Sequence, residues 1–146
     1  MKINKDFEEF FELLNKNKVD YLIVGGYAYA IHAEPRFTKD IDILLRVSDT
    51  NASAMITTLE DFGFGELGLT KQDFLEKEQI IQLGYPPNRI DLLTSVSGIT
   101  FEQAWENKVS AKFGEIPVYF IGKEELKKNK QATGRKKDLN DLENLL

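Results

Sequence analysis

The chain has 146 residues, the length of one ordinary domain, and 42% of them are hydrophobic, so it can bury a core of its own. Cysteine is absent, which excludes disulfides, thiolate metal sites and cysteine nucleophiles and favours a reducing, cytoplasmic location. No secretory signal or transmembrane run is visible, so no membrane association is expected, and the net charge of −5 argues against binding to extended duplex nucleic acid.

The first half of the chain alternates helix and strand signals. Apolar residues recur at helical spacing, then form short apolar runs that end at glycine or proline. The predicted elements are an amphipathic helix over residues 7–14, a buried strand over 19–24, a helix over 27–33, a strand over 40–45 and a helix over 48–62.

The second half gives a stretch without a clear signal, residues 63–77, and then further strands. Strands are predicted over 78–84 and 89–96, a short helix over 101–108 and two strands around Gly114, where Pro117 favours an edge position. Helix returns from Lys123 and breaks near Gly134. Four leucines after that break are predicted to pack inward: Leu139, Leu142, Leu145 and Leu146. The order of elements indicates a mixed α/β (α+β) fold, with a main domain over 1–122 and a basic helical extension over 123–146 packed on it.

Three aspartates in apolar frames carry the strongest chemical signal. Asp40 and Asp42 are two apart in a predicted strand, so they share a face and repel each other unless a cation compensates. Asp91 lies in a similar strand, and if the two strands are neighbours all three carboxylates converge. Three such groups can hold two Mg²⁺ ions about 3.5 to 4 Å apart, an arrangement typical of phosphoryl transfer.

Gly25 and Gly26 stand between a strand and a helix, where glycine lets the backbone approach an anion and the helix N-terminus favours negative charge. Arg36, Thr38 and Lys39 follow on the loop that leads to Asp40. These residues are expected to contact a nucleotide or substrate, although loop residues of these types are often only solvated.

This order of motifs resembles the DNA polymerase β-like nucleotidyltransferase superfamily. The resemblance is carried by the stretch VGGYAYAIHAEPRFTKDIDIL and by Ile90-Asp91-Leu92, and it is closest to small bacterial members such as AbiEii-type toxins and lincosamide or aminoglycoside nucleotidyltransferases. It implies a mixed β-sheet flanked by helices, and a metal-dependent transfer of a nucleoside monophosphate from a nucleoside triphosphate to an acceptor hydroxyl.

The resemblance implies that Asp40, Asp42 and Asp91 are catalytic metal ligands, binding two Mg²⁺ ions or Mn²⁺ in their place. Gly25 and Gly26 would then seat the triphosphate.

The basic segment, residues 123–137, carries a local charge of +5, while the rest of the chain carries −10. It is either a solvated helix or a surface that binds the triphosphate, with Lys130 and Arg135 as the best contacts.

Several other residues have plain structural explanations. His32 is the only histidine, and its place in an alanine-rich helix favours packing over a role as general base. Tyr27, Tyr29, Tyr85 and Trp105 could stack a base, but core packing is the expected use for most of them.

The acceptor stays open at this stage: a small molecule, an RNA end and a protein side chain all present a hydroxyl. A domain of this size can also need a second subunit to close its cleft, so a homo-oligomer is an open alternative. The rival hypothesis is a non-catalytic nucleotide-binding or toxin–antitoxin regulatory module that acts through a protein partner.

Overall fold

A computed structural model describes residues 4–145. Over this part of the chain six strands and six α-helices form a mixed α/β structure. The strands are β1 (Tyr21–Val24), β2 (Asp40–Leu45), β3 (Ile80–Leu83), β4 (Arg89–Leu93), β5 (Val109–Phe113) and β6 (Ile116–Phe120). The helices are α1 (Lys5–Lys16), α2 (Gly25–His32), α3 (Asp49–Asp61), α4 (Phe101–Glu106), α5 (Lys123–Thr133) and α6 (Lys136–Asn144). The stretch that the sequence left uninterpreted contains two short 3₁₀ turns, Gly65–Leu67 and Lys71–Phe74.

The six strands form one mixed sheet in the order β3-β4-β2-β1-β6-β5. β2 lies at its centre, antiparallel to β1 and parallel to β4. The registers place Asp42 opposite Val24 on one side and opposite Asp91 on the other. The end of β1, the start of β2 and the start of β4 therefore meet at the same place.

Helix α1 is the amphipathic helix that the sequence predicts. Asn4 caps it by accepting hydrogen bonds from the backbone amides of Asp6 and Phe7. Its apolar residues recur on one side and are all buried in the core: Phe7, Phe10, Phe11 and Leu14. The helix packs against α3 and β6, while α2 lies against β1 and β2 and contacts α5.

The prediction that Pro117 lies in an edge strand is wrong. β6 lies between β1 and β5, and β5 is the edge strand. A proline is tolerated there because β1 pairs with β6 only at Ile23 opposite Phe120, so Pro117 lies beyond that short ladder. It pairs with Lys112 of β5 on its other side.

The C-terminal helices break where predicted, but the leucines after the break behave differently from expectation. Gly134 ends α5 in the left-handed region, at φ 66°, which glycine adopts without strain. On α6, Leu139 is 46% exposed and so does not pack inward, whereas Leu145 is buried. Leu142 is half-buried, and Leu146 lies outside the described residues.

The reason is that α6 turns acidic residues toward the protein. Asp138, Asp141 and Leu145 follow each other at i, i+3 and i+7 and are all buried. The position of Leu139 places it on the solvent side of that stripe. Buried aspartates need partners, and the partners lie beside the site described next.

Candidate active site

Three aspartates converge at the centre of the sheet. Alternation along β2 puts Asp40 and Asp42 on one face, and the parallel ladder puts Asp91 directly opposite Asp42. One carboxylate oxygen from each residue lies within 4.8 Å of the other two. Asp91 is only 6% exposed, and the other two are half-buried. The structure thus brings together the three acids that the sequence singled out.

Arg89, which the sequence analysis did not select, also belongs to this cluster. It lies opposite Asp40 in the β2–β4 ladder and two residues before Asp91, so it shares their face. Its Nη2 donates to Asp40 Oδ2 at 2.7 Å, and its Nε donates to Asp91 Oδ1 at 2.9 Å. Strand alternation was the signal that could have found it.

The glycine turn touches the acidic cluster. Gly25 has φ +66°, and a Cβ at this position would collide with the Oδ2 atom of Asp42. A Cβ on Gly26 would lie 2.5 Å from the Cγ2 atom of Thr38. Glycine at both positions therefore lets Asp42 and the loop before β2 pack directly against the start of α2.

A cavity of about 440 Å³ opens beside the turn. All seven residues predicted to contact a nucleotide line it, together with Asp40 and Asp42. The seven are Gly25, Gly26, Arg36, Thr38, Lys39, Lys130 and Arg135. Lys137, Asp138 and Phe37 also line the cavity. The sequence analysis named none of them as a nucleotide contact, although Lys137 belongs to the basic segment. Phe37 is 79% exposed at this position.

Two of the cavity's cations are held in a buried ion-pair network. Arg36 donates through both terminal nitrogens to Asp141, and its guanidinium carbon lies 3.9 Å from the ring centre of Tyr29. Lys130 Nζ lies 2.8 Å from Asp141 Oδ2 and 3.4 Å from Asp138 Oδ1. The network joins the loop before β2 to both C-terminal helices.

The family model described as "Nucleotidyltransferase of unknown function (DUF6036)" matches residues 1–146. The chain belongs to this family. A solved structure with the same fold is the crystal structure of the lincosamide antibiotic adenylyltransferase LnuA with lincomycin bound. It is 17% identical, with a TM-score of 0.58, and the match covers 97% of this chain and 95% of the LnuA chain. A search of curated proteins gives no match. The predicted fold class and the resemblance to small nucleotidyltransferases are confirmed.

The other cavity cations of this DUF6036 nucleotidyltransferase face solvent. The Arg135 side chain is 74% exposed, and its Nε donates to Asp138 at 2.7 Å. Lys39 and Lys137 are exposed and form no ion pair with any residue between 4 and 145. Lys39 and Lys137 can therefore approach an anion in the cavity without giving up an ion pair, whereas Arg135 is already paired with the buried Asp138.

The ionisation of the acidic cluster reflects crowding of like charges. Burial, followed by the charges of Asp40 and Asp91, raises the pKa of Asp42 to about 7. Burial also raises the pKa of Asp91, against the opposing effect of its hydrogen bonds from Arg89. Negative charge is therefore in excess here, and all the donors are hard oxygens. The three side chains fit a divalent cation such as Mg²⁺.

The Asp138 and Asp141 carboxyls behave in the opposite way. Burial alone would raise the pKa of each, but the hydrogen bonds that they accept outweigh it and lower both values. Thr133 and Arg135 donate to Asp138, and Arg36 and Lys130 donate to Asp141. Both carboxyls are therefore negatively charged, and each forms ion pairs with basic side chains of the cavity wall.

The remaining side chains that the sequence singled out do not line this cavity. His32 Nε2 lies 2.7 Å from the carbonyl oxygen of Ile121, outside the cavity. Tyr29 is buried beneath Arg36, and Trp105 stacks on Phe101. Tyr85 is exposed on the loop between β3 and β4. Within residues 4–145, no helix combines the length and apolar character that crossing a bilayer requires.

Proposed function

We propose that this protein is a metal-dependent nucleotidyltransferase that moves a nucleoside monophosphate from a nucleoside triphosphate to an acceptor hydroxyl and releases pyrophosphate. The main support is the position of three carboxylates beside a glycine turn and a cation-lined cavity. Family membership supports nucleotidyl transfer in general. The metal, the donor and the acceptor are parts of the proposal.

In this proposal Asp40, Asp42 and Asp91 hold the metal, as two Mg²⁺ ions or as Mn²⁺. When bound, the ions would stabilise the charge that develops on the entering and leaving oxygens. Asp91 also takes the proton of the acceptor hydroxyl as that oxygen attacks the α-phosphorus. The bond from the α-phosphorus to its bridging oxygen breaks, and pyrophosphate leaves.

The triphosphate would lie along the cavity. Gly25, Gly26 and Thr38 seat it, because the first turn of α2 offers unpaired backbone amides to an anion. Lys39 and Arg135 supply exposed positive charge.

Arg36 and Lys130 contribute indirectly. They add positive charge to the cavity and fix its wall through their ion pairs with Asp141. Residues 1–122 then serve as the catalytic domain, and the basic extension over 123–146 provides the opposite wall.

The solved structure with the same fold suggests the first compounds to test. LnuA is a lincosamide antibiotic adenylyltransferase, and its crystal structure holds bound lincomycin. ATP is therefore the first donor to supply, and a hydroxylated small molecule of the lincosamide kind is the first acceptor class. RNA ends and protein side chains follow as further acceptors.

The test uses nucleoside triphosphates labelled at the α-phosphate, with Mg²⁺ and a panel of these acceptors. Asp40→Asn, Asp42→Asn and Asp91→Asn should each lose at least about a hundredfold in the rate of label transfer to the acceptor, the usual scale for an electrostatic catalytic group. Asp6→Asn, an exposed aspartate on α1, should keep full activity. Wild-type transfer by all three site variants would refute the mechanism. Triphosphate binding without pyrophosphate release for any acceptor would favour the regulatory module instead.

A further inference from the structure

Arg89 occupies three of the carboxylate oxygens that could bind a metal. Its three hydrogen bonds involve Asp40 Oδ2 at 2.7 Å, Asp91 Oδ1 at 2.9 Å and Asp91 Oδ2 at 3.1 Å. Both carboxylate oxygens of Asp91 are therefore engaged by the guanidinium, while Asp42 accepts no hydrogen bond from it. The Arg89 side chain is 28% exposed, so part of it already faces solvent.

A guanidinium and a divalent cation compete for this position. Both seek the same oxygens, and they repel each other at the distances that joint binding would require. The guanidinium nevertheless compensates part of the repulsion among the three carboxylates and keeps Asp40 and Asp91 in position. Arg89 consequently stabilises the three carboxylates when no metal is bound, and it competes with a metal for their oxygens.

We propose that Arg89 is an internal counter-ion that keeps the Asp91 part of the metal site closed until a metal–nucleotide complex arrives. Asp40 and Asp42 then accept a metal first, and Asp91 becomes a ligand only after Arg89 releases it. Arg89 is a positioning residue in this scheme. The inference rests on the proposed function, because that function identifies the cluster as a metal site. Its test does not require the protein to transfer nucleotides.

The experiment measures Mn²⁺ binding to the purified full chain without nucleotide, by calorimetry and by electron paramagnetic resonance. Arg89→Gln should bind Mn²⁺ at least about tenfold more tightly than the wild type, because one positive charge leaves the site. Arg89→Lys should lie between the two, since a single ammonium cannot make the paired contacts of a guanidinium. Arg46→Gln is the matched control, because Arg46 pairs with Asp20 outside the cluster and is similarly exposed. Its Mn²⁺ affinity should equal that of the wild type.

A second measurement follows the coupling to nucleotide. A non-hydrolysable ATP analogue should tighten Mn²⁺ binding more in the wild type than in Arg89→Gln. If Arg89→Gln fails to fold, the Arg89→Lys comparison decides. Mn²⁺ affinity that is unchanged or weaker in the folded Arg89 variants overturns the inference, even if the enzyme transfers nucleotides. Tighter Mn²⁺ binding in a protein that transfers no nucleotide would sustain the inference and count against the proposed function.

Discussion

Replacing Lys130 by methionine separates support of the cavity wall from direct contact with the nucleotide. The side chain is 6% exposed, and its ammonium lies 2.8 Å from Asp141 and 3.4 Å from Asp138. Removing one partner of a buried ion pair costs about 3 to 5 kcal/mol, because the remaining charge stays buried. In Lys130→Met, Asp141 still pairs with Arg36 and Asp138 still pairs with Arg135. We therefore expect the free energy of unfolding to fall by an amount near the lower limit, about 3 kcal/mol.

A loss of that size corresponds to a fall in Tm of about 6 to 12 °C for a chain of this length. Urea unfolding followed by circular dichroism measures the free energy of unfolding directly. Lys128→Met on the same helix is the matched control, since Lys128 is exposed, and it should change stability by less than about 0.5 kcal/mol.

A loss below about 1 kcal/mol in Lys130→Met would refute the reasoning. It would mean that Asp138 and Asp141 do not depend on Lys130, and that its ammonium is available to the triphosphate. Nucleotide affinity is then measured at a temperature where both variants are folded. Under the proposed arrangement, affinity falls in Lys130→Met mainly as the wall loosens, and it is unchanged in Lys128→Met.

Two further predictions concern the same wall. Lys137→Gln should weaken binding of ATP by about tenfold, because one charged contact is lost. Lys136 does not line the cavity, so Lys136→Gln should change the affinity for ATP by less than about twofold. Calorimetric titration with a non-hydrolysable analogue measures both, and equal effects would remove Lys137 from the binding surface. The lowered pKa values of Asp138 and Asp141 stabilise the fold above their unfolded pKa of about 3.9, and this stabilisation is lost as the pH falls through the lower folded values. The free energy of unfolding should therefore fall below about pH 4 in the wild type and fall less steeply in Asp141→Asn; the same slope in both proteins would contradict this.

Strand alternation was enough to predict that Asp40 and Asp42 share a face, whereas the convergence of Asp91 with them depended on the two strands being neighbours. Asp40 and Asp42 share a face by their spacing, and the apolar neighbours of Asp91 indicated a second buried strand. The glycine pair at the end of β1 was also singled out in advance, because glycine between a strand and a helix lets the backbone approach an anion closely. These are local signals, and the parallel pairing of β2 with β4 joins them.

The sequence did not predict which charged side chains form ion pairs with each other. Lys130 looked like a free basic residue because its acidic partners, Asp138 and Asp141, lie in a different helix. Those two aspartates also occupy the inward face of α6, where a search for apolar periodicity expects leucine, and Leu139 was misplaced for that reason. Long-range ion pairs leave no periodic trace in the chain.

The ion-pair network also has a consequence for synthesis of the protein. Arg36 and Gly25 are made early, yet the charges that hold Arg36 and the opposite cavity wall come from residues 130–141. A nascent chain interrupted between Asp91 and Asp141 would contain all three clustered aspartates and still leave Arg36 without its carboxylate. Under the proposed function, competence to hold a nucleotide is therefore acquired only once Asp141 has been made, well after the central strands.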